Sequence, residues 1–207
     1  MTRLNVQKTY KIFIGGKFPR TESARYYPIN NSDGDLIANM CLSSRKDFRN
    51  AVVAARKVQA GWVNKTAYNR SQILYRLAEM LETRRASFIE EMEVLGLSKK
   101  VSEKEIDASI DRLVYYAGWC DKYTAVFSSV NPTASAHFNF SVHEPTGVVA
   151  AITPEESPLL GLISVIAPAI CGGNAVIVLA SELKATPAIS FAEVIQNSDV
   201  PGLSLIH

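Results

Sequence analysis

Hydrophobic and polar residues recur at different spacings along the chain, and each spacing predicts one kind of element. Near the N-terminus, β-forming runs at residues 10–14 and 36–42 predict short strands, and Gly15 with Gly16 predicts a hairpin turn. Over residues 44–123 the apolar side chains recur at helical spacing, which predicts a series of amphipathic helices. The first half of the chain is therefore expected to form a hairpin, a strand and a set of helices.

Two serines mark the expected starts of helices in this region. Ser44 is suited to be an N-cap, because Asp47 follows three positions later near the positive end of the helix dipole. Gly61 is expected to end that helix. Ser102 is expected to start a later helix, with Glu105 at the capping-box position. Both carboxylates are therefore interpreted as local caps.

Beyond residue 132 the spacing changes again. Phe138, Phe140 and Val142 alternate with polar residues, which predicts a half-exposed strand. The chain then alternates apolar strands at residues 148–152, 175–179 and 203–206 with helices at residues 158–170 and 188–196. This order predicts a parallel sheet with buried faces. The far side of its third strand is expected to be uncovered, which would favour self-association or a partner.

Composition narrows the class of protein. The chain has 207 residues, of which 47% are hydrophobic and 20% charged, so it can form a core without disulfides. A net charge of +2 is too small to indicate nucleic acid or an anionic membrane as a partner. The longest apolar stretch, residues 159–170, is too short to span a bilayer. Scattered cysteines and the lack of a signal-peptide pattern predict a cytoplasmic protein.

One segment of the second half resembles a known family. Residues 145–182 begin Pro-Thr-Gly-Val-Val-Ala-Ala-Ile-Thr-Pro-Glu-Glu-Ser-Pro and end Gly-Asn-Ala-Val-Ile-Val-Leu-Ala-Ser-Glu. They are similar to the first strand–helix–strand of the aldehyde dehydrogenase superfamily. Shorter matches follow the family's order at residues 13–17, 51–56, 61–62 and 115–122.

The resemblance implies an α/β fold, with a helical and hairpin N-terminal part leading into a partial doubly wound parallel sheet. It implies one partial NAD-binding domain over residues 1–207, without the catalytic domain, and an oligomerisation strand near residues 136–144. It also implies a site for NAD or NADP. The residues expected to contact this cofactor are Ile152, Thr153, Pro154, Ser181 and Glu182, the last standing where the family has its ribose-binding glutamate.

The chain departs from the family at the residues that carry chemistry. Glu155 and Glu156 stand where the family typically has Trp-Asn, and Leu179 and Ala180 where it has Lys-Pro. The family's asparagine helps to stabilise an oxyanion, and a carboxylate cannot donate that hydrogen bond unless it is protonated. Losing one such donor costs roughly 3–4 kcal/mol. Leu179 offers the cofactor no donor.

Two other interpretations of Glu155 and Glu156 stay open. The pair can stabilise the helix that follows Pro158 through the helix dipole. The pair can also hold a metal or a cationic ligand, although neither a histidine nor a third carboxylate is adjacent in sequence. Cys171 is interpreted as a packing residue. We assign no catalytic residue and no metal site.

Three functions remain in consideration. The departures favour a degenerate, non-catalytic aldehyde dehydrogenase module, with weak or absent cofactor binding, that acts within a homo-oligomer or on an active aldehyde dehydrogenase partner. The alternative is the N-terminal part of an NAD(P)-dependent enzyme that oxidises an aldehyde to an acid. The chain stops inside an apparent strand, so we expect a truncation under that alternative. A third function is an NAD(H) sensor without turnover.

Overall fold

A small mixed sheet and a series of helices form the first half of the protein, as the spacing of apolar residues predicts. The computed structural model describes residues 7–200 and 203–206. The strands of this half are β1 (Thr9–Tyr10), β2 (Tyr26–Asn30) and β3 (Leu36–Cys41). The helices are α1 (Arg45–Val63), α2 (Ala67–Thr83), α3 (Arg85–Val94), α4 (Lys99–Ala117) and α5 (Tyr123–Phe127).

The second half contains a two-stranded hairpin and then a parallel α/β unit. The hairpin strands are β4 (Ser129–Asn131) and β5 (Asn139–Ser141). The α/β unit consists of β6 (Val148–Ile152), α6 (Leu160–Cys171), β7 (Ala175–Leu179), α7 (Thr186–Gln196) and β8 (Ser204–Ile206). The predicted α/β class and parallel sheet are confirmed. The turn expected at residues 201–202 and the N-terminal residues 1–6 lie outside the described residues.

β7 is the central strand of the parallel sheet and is covered on both faces. Ala175 and Ile177 pack with Ala51 and Ala55 of α1 on one face. Val176 and Val178 belong to the larger core formed with α6, α7, α2 and α4 on the other. This division follows from the two-residue period of a strand. Helices from both halves of the chain therefore share one sheet.

The uncovered strand of this sheet is β6 and not the third strand, so the sequence-based prediction was wrong. β8 is buried throughout. Phe13 lies beside it and exchanges two backbone hydrogen bonds with Leu205, of 2.9 and 2.8 Å. Among the described residues β6 pairs only with β7, and Ala150 and Ile152 are exposed. The N-terminal segment protects β8, which residue spacing could not indicate.

The expected hairpin at residues 10–14 is confirmed only at its turn. Ile14 and Lys17 exchange backbone hydrogen bonds of 2.9 and 3.1 Å around Gly15 and Gly16, whose positive φ angles suit glycine. Tyr10 instead belongs to β1, which pairs in parallel with β3. The segment therefore does not form one strand, because Tyr10 pairs in the small mixed sheet whereas Phe13 pairs with β8 of the parallel sheet.

The N-terminus of α1 is held by a buried carboxylate. The Asp47 side chain accepts hydrogen bonds from the Thr21 hydroxyl (2.6 Å) and from the Glu22 backbone N–H (3.1 Å). It also accepts from the backbone N–H and the hydroxyl of Ser44, at 2.7 Å each. Burial opposes ionisation, but these hydrogen bonds hold the pKa of Asp47 below its usual value. The predicted cap is confirmed, and it also ties α1 to the segment before β2.

Other local predictions were overridden by tertiary contacts. α1 continues through Gly61 to Val63, because Trp62 is buried and its indole N–H donates to the Ile170 carbonyl oxygen at 3.0 Å. α4 begins before Ser102, with Ser98 as its N-cap. The Glu105 carboxylate does not cap its own helix: it accepts from the backbone N–H groups of residues 159 and 160, at 2.9 and 3.1 Å, at the start of α6.

The hairpin of β4 and β5 is more exposed than its alternating pattern predicts. Every residue of β5 is exposed, and so are Phe138 and Val142 on either side of it. The prediction of a half-exposed strand was therefore wrong, because no described element covers either face. In the part of the chain that the structure describes, no helix is both long and apolar enough to cross a membrane.

The cap on α1 gives a testable prediction. Asp47→Asn should lower the free energy of unfolding at neutral pH by about 1–3 kcal/mol, because buried donors lose a charged acceptor. The folded-state pKa is lowered, so the stabilisation is present above the unfolded pKa and is lost as pH falls through the folded pKa. Denaturant unfolding at several pH values measures this. The control is Asp111→Asn on the exposed side of α4; an equal effect would contradict the prediction.

Candidate functional site

A cleft lies at the carboxyl ends of the parallel strands. It has a volume of about 580 Å³, and Ile152, Leu179 and Ile206, the last residues of β6, β7 and β8, all line it. Open α/β sheets bind ligands at this end because the strands and the helices that follow them leave a crevice there. The fold therefore places its principal candidate site where such sheets usually have one.

The opposite wall of the cleft comes from the N-terminal half. It includes Arg45 and Phe48 from the first turn of α1, and Tyr27 from β2. Sequence reasoning missed these residues because they carry no motif. Only the packing of α1 against the sheet brings them to the carboxyl ends of the strands. They add a cation, an aromatic surface and a phenol to a lining that is otherwise mostly apolar.

The Glu155 carboxylate clamps the loop that follows β7. It accepts hydrogen bonds from the Ser181 hydroxyl, from the Glu182 backbone N–H (2.9 Å) and from the Leu183 backbone N–H (3.3 Å). Partial burial opposes ionisation, but these hydrogen bonds and the charge of Lys184 hold the pKa of Glu155 below its usual value. Glu155 is therefore a carboxylate at neutral pH, and it joins the segment after β6 to the loop after β7.

This contact corrects one expectation about the Glu155 and Glu156 pair. Glu155 points to the loop after β7 rather than to the helix that follows it in sequence. Glu105 supplies the carboxylate at the start of that helix instead. Glu156 is exposed to solvent. Among the described residues, no group of three or more histidine, cysteine, aspartate or glutamate side chains is arranged to hold a metal ion.

The five residues expected to contact a cofactor do not all reach the cleft. Ile152, Thr153 and Glu182 line it. Thr153 also fixes the end of β7, because its backbone N–H and hydroxyl donate to the Leu179 carbonyl oxygen at 3.0 and 3.2 Å. The Ser181 hydroxyl is held by Glu155. Pro154 packs over Gly161, where an added Cβ would lie 2.5 Å from the proline ring. Cofactor contact by these residues stays a prediction.

Tyr27 presents an unpaired donor beside two carboxylates. Its hydroxyl is buried and has no hydrogen-bond partner among the described residues. Burial raises the pKa of Tyr27, and the charges of Glu182 and Glu155 raise it further. The phenol therefore stays protonated. Unpaired buried donors are uncommon, so this one is available to an acceptor on a ligand.

The cleft fits a dinucleotide only in part. Its volume and apolar lining are within the range of small-molecule sites, and Glu182 can accept a hydrogen bond from a ribose hydroxyl. Leu179 is 41% exposed at the end of β7 and supplies no donor. The N–H groups of the following loop already donate to Glu155. The cleft therefore has room for a dinucleotide, but it offers few hydrogen-bond donors to the anionic phosphate groups.

Comparison with known proteins identifies what this arrangement is similar to. A family model described as "Aldehyde dehydrogenase family" matches residues 18–205. The putative aldehyde dehydrogenase DhaS of Bacillus subtilis (strain 168) is 31% identical over 202 residues, which are 95% of this chain and 40% of that protein. Retinal dehydrogenase 2 of Gallus gallus is 33% identical over 96% of this chain and 39% of its own length.

A solved structure shares the fold. The NAD⁺ complex of an aldehyde dehydrogenase from Bacillus cereus superposes with a TM-score of 0.91 and 24% identity, over 96% of this chain and 41% of that one. At this identity the likeness concerns the fold alone. The chain spans about 40% of the length of the Bacillus subtilis and Gallus gallus relatives.

The clamp on the loop after β7 can be tested without any ligand. Glu155→Gln should speed amide hydrogen exchange at Glu182 and Leu183 by roughly tenfold or more, because a hydrogen bond to a charged group contributes about 1.5–3 kcal/mol. In the unmodified chain, acid should lower the protection of these two amides relative to their intrinsic exchange rate at each pH, as pH falls through the lowered pKa of Glu155. Glu156→Gln, at the exposed neighbour, is the control. Unchanged protection in Glu155→Gln would show that the clamp does not hold the loop.

Proposed function

The chain belongs to the aldehyde dehydrogenase family, and from this premise we propose that it is a degenerate, non-catalytic form of the family's N-terminal portion. It would bind NAD or NADP weakly or not at all, and act through protein contacts. The clamp formed by Glu155 carries this proposal. The loop that holds Ser181 and Glu182, two of the residues expected to contact the cofactor, is already bonded to a carboxylate of the chain itself.

The clamp opposes binding of an anionic cofactor in two ways. The N–H groups of Glu182 and Leu183 and the Ser181 hydroxyl donate to Glu155, so a phosphate or ribose oxygen could use them only by displacing that carboxylate. Glu155 and Glu182 also place two carboxyl groups at the same cleft. Unit charges at ~4 Å interact by about 4 kcal/mol at an effective dielectric near 20, so repulsion of a phosphate is a substantial cost.

The residues in place of the family's chemical groups support the same conclusion. Leu179 lines the cleft with a side chain that cannot donate a hydrogen bond. Glu156, at the position where the family's asparagine helps to stabilise the oxyanion, is an exposed carboxyl group. A carboxylate there would repel the charge that develops on an attacked aldehyde. We therefore expect no turnover by this chain.

Two exposed surfaces are suited to protein contacts. β6 has an open edge among the described residues, and an unpaired strand edge can accept a further strand. The β4–β5 hairpin exposes Val130, Phe138 and Phe140 together. Clustered exposed apolar side chains are typical of interaction surfaces. We propose that these surfaces join copies of the chain, or join it to an active aldehyde dehydrogenase, in the cytoplasm.

A second candidate is the N-terminal part of an NAD(P)-dependent aldehyde dehydrogenase. The cleft of about 580 Å³ and the position of Glu182 in its lining favour it. The relatives are more than twice as long as the matched part, so residues from elsewhere in such a protein would complete the site. A sensor of NAD(H) without turnover would need the same cleft and tight binding by this chain alone. Cofactor affinity separates these candidates from the first.

Calorimetric titration with NAD⁺ and NADH tests the proposal. The unmodified chain should show weak or no binding. A variant that combines Glu155→Gln with Leu179→Lys should bind more tightly, because it removes one carboxylate charge and adds a cation at the end of β7. The control combines Glu155→Gln with Leu183→Lys, which has the same net charge but places the cation in a different groove. Tight binding by the unmodified chain would contradict the proposal and favour the second candidate or the sensor.

Catalysis is tested separately. Residues 1–207 should give no NADH from NAD⁺ with aliphatic or aromatic aldehydes, because we assign the chain no nucleophile and Glu156 provides no oxyanion donor. NADH absorbance is the measurement. Glu156→Asn should also remain inactive, since restoring the donor does not supply a nucleophile. Steady NADH formation by the unmodified chain would overturn the non-catalytic assignment.

A further inference from the structure

Two arginines share a small pocket beside the N-terminal mixed sheet. The pocket has a volume of about 240 Å³ and shares no lining residue with the cleft at the carboxyl ends of the parallel strands. Its lining consists of Thr9, Arg20, Thr21, Ala24, Arg25, Tyr26 and Cys41. The lining therefore contains two permanent cations and no carboxylate.

The register of the mixed sheet explains why distant residues line one pocket. Thr9 of β1 pairs with Asn39 of β3, and Tyr26 of β2 pairs with Cys41 of β3. Paired residues, and residues two apart along a strand, point to the same face of a sheet. Thr9, Tyr26 and Cys41 therefore share one face. Tyr27, the next residue of β2, lines the cleft instead.

The loop that carries both arginines is fixed at each end. The buried Thr21 hydroxyl donates to Asp47 at 2.6 Å, and the Leu42 backbone N–H donates to the Arg25 carbonyl oxygen at 3.0 Å. Between these contacts Ala24 has a φ of 56°, which residues other than glycine seldom adopt. Such a conformation persists only where the surroundings determine it. The backbone of the pocket is therefore preorganised, which lowers the entropic cost of binding a ligand.

Neither guanidinium group at the pocket has a partner in the part of the chain that the structure describes. Arg20 and Arg25 form no ion pair there, and their side chains donate no hydrogen bond to the protein. Glu22 lies between them in sequence, but it pairs with Lys46 at 2.8 Å. An exposed arginine is usually only solvated. Two unpaired arginines at one concave site, however, concentrate positive potential and attract anions.

We propose that this pocket binds a phosphate group, either as inorganic phosphate or as the phosphomonoester of a small molecule. A guanidinium group presents its N–H donors in a planar fork that matches two phosphate oxygens, so a dianion in the pocket meets a suitable donor set at Arg20 and at Arg25. The hydroxyl groups of the exposed residues Thr9 and Tyr26 can donate to the remaining oxygens. The pocket is smaller than the range of about 300–1,000 Å³ typical of larger ligands, which favours a compact anion.

This site is independent of the function proposed for the cleft. Because the two pockets share no lining residue, phosphate can bind whether or not a dinucleotide does. A bound phosphate would join β1, β2 and the loop before β2. It would also stabilise the folded chain by mass action.

Heteronuclear NMR with inorganic phosphate tests the proposal at constant pH. The backbone amide signals of Thr9 and of residues 20–26 should shift in a saturable way, while most other signals stay in place. A series with sodium chloride alone, over the same ionic strengths, should leave these signals unchanged. No saturable shift, or equal shifts with chloride, would overturn the proposal.

Matched substitutions test the two arginines. Arg20→Gln and Arg25→Gln should each raise the dissociation constant roughly tenfold or more, because each removes charge-assisted hydrogen bonds to the anion. Arg56→Gln removes the same charge at an exposed position of α1 outside the pocket, and it should leave the dissociation constant unchanged. The amide spectrum of each variant shows whether it is folded, and the shifts of the unmodified chain decide the matter if one is not. Equal weakening by Arg56→Gln would contradict a specific site.

A parallel titration with glycerol 3-phosphate distinguishes the two sources of the phosphate group. Tighter binding of glycerol 3-phosphate than of inorganic phosphate, with shifts at the same residues, would identify a phosphomonoester as the ligand. Tighter binding of inorganic phosphate would identify the free ion. Saturable shifts centred outside Thr9 and residues 20–26 with both probes would overturn the assignment of this pocket.

Discussion

The burial of β7 on both faces is the constraint on which the rest of the structure depends. Its successive side chains point in opposite directions, so Ala175 and Ile177 need one helical layer and Val176 and Val178 need another. α1 covers the first face, and the helices that flank β7 in sequence contribute to the second. The N-terminal helices are therefore part of the core of the parallel sheet. This packing also brings the start of α1 to the mouth of the cleft.

Carboxylates that accept backbone hydrogen bonds hold the connections between these layers. Asp47 joins α1 to the segment before β2, Glu105 joins α4 to the start of α6, and Glu155 joins the segment after β6 to the loop after β7. Each takes two backbone N–H groups, which the structure would otherwise leave partly unpaired. Burial opposes ionisation of Asp47 and Glu155, but hydrogen bonds from neighbouring hydroxyl groups, together with those from the backbone, hold the pKa of each carboxyl group below its usual value. The contacts of Asp47 and Glu105 thus stabilise the packing of helices, whereas the contact of Glu155 lies in the candidate site.

That third contact connects the fold to its proposed function. A cleft at the carboxyl ends of parallel strands is the usual place for a nucleotide, and the family relationship raises the same expectation. Yet Glu155 already accepts the hydrogen bonds that the loop after β7 can donate, and Leu179 in the cleft lining has no donor, whereas the Tyr27 hydroxyl stays unpaired. Its exposed surfaces, the open edge of β6 and the hairpin of β4 and β5, have the character of protein-contact surfaces. The physical features favour association over catalysis.

The sequence by itself determined the α/β class, most helices and strands, the α1 cap at Ser44 and Asp47, and the positions that depart from the family. These depend on residue spacing and on contacts within a few residues, which a single sequence displays. Tertiary structure alone decided which strand edge is open, that Glu105 accepts hydrogen bonds from the start of α6, and that Glu155 binds the loop after β7. Each of these contacts joins groups more than twenty residues apart. Local pattern cannot specify them, because they depend on how segments distant in sequence pack together.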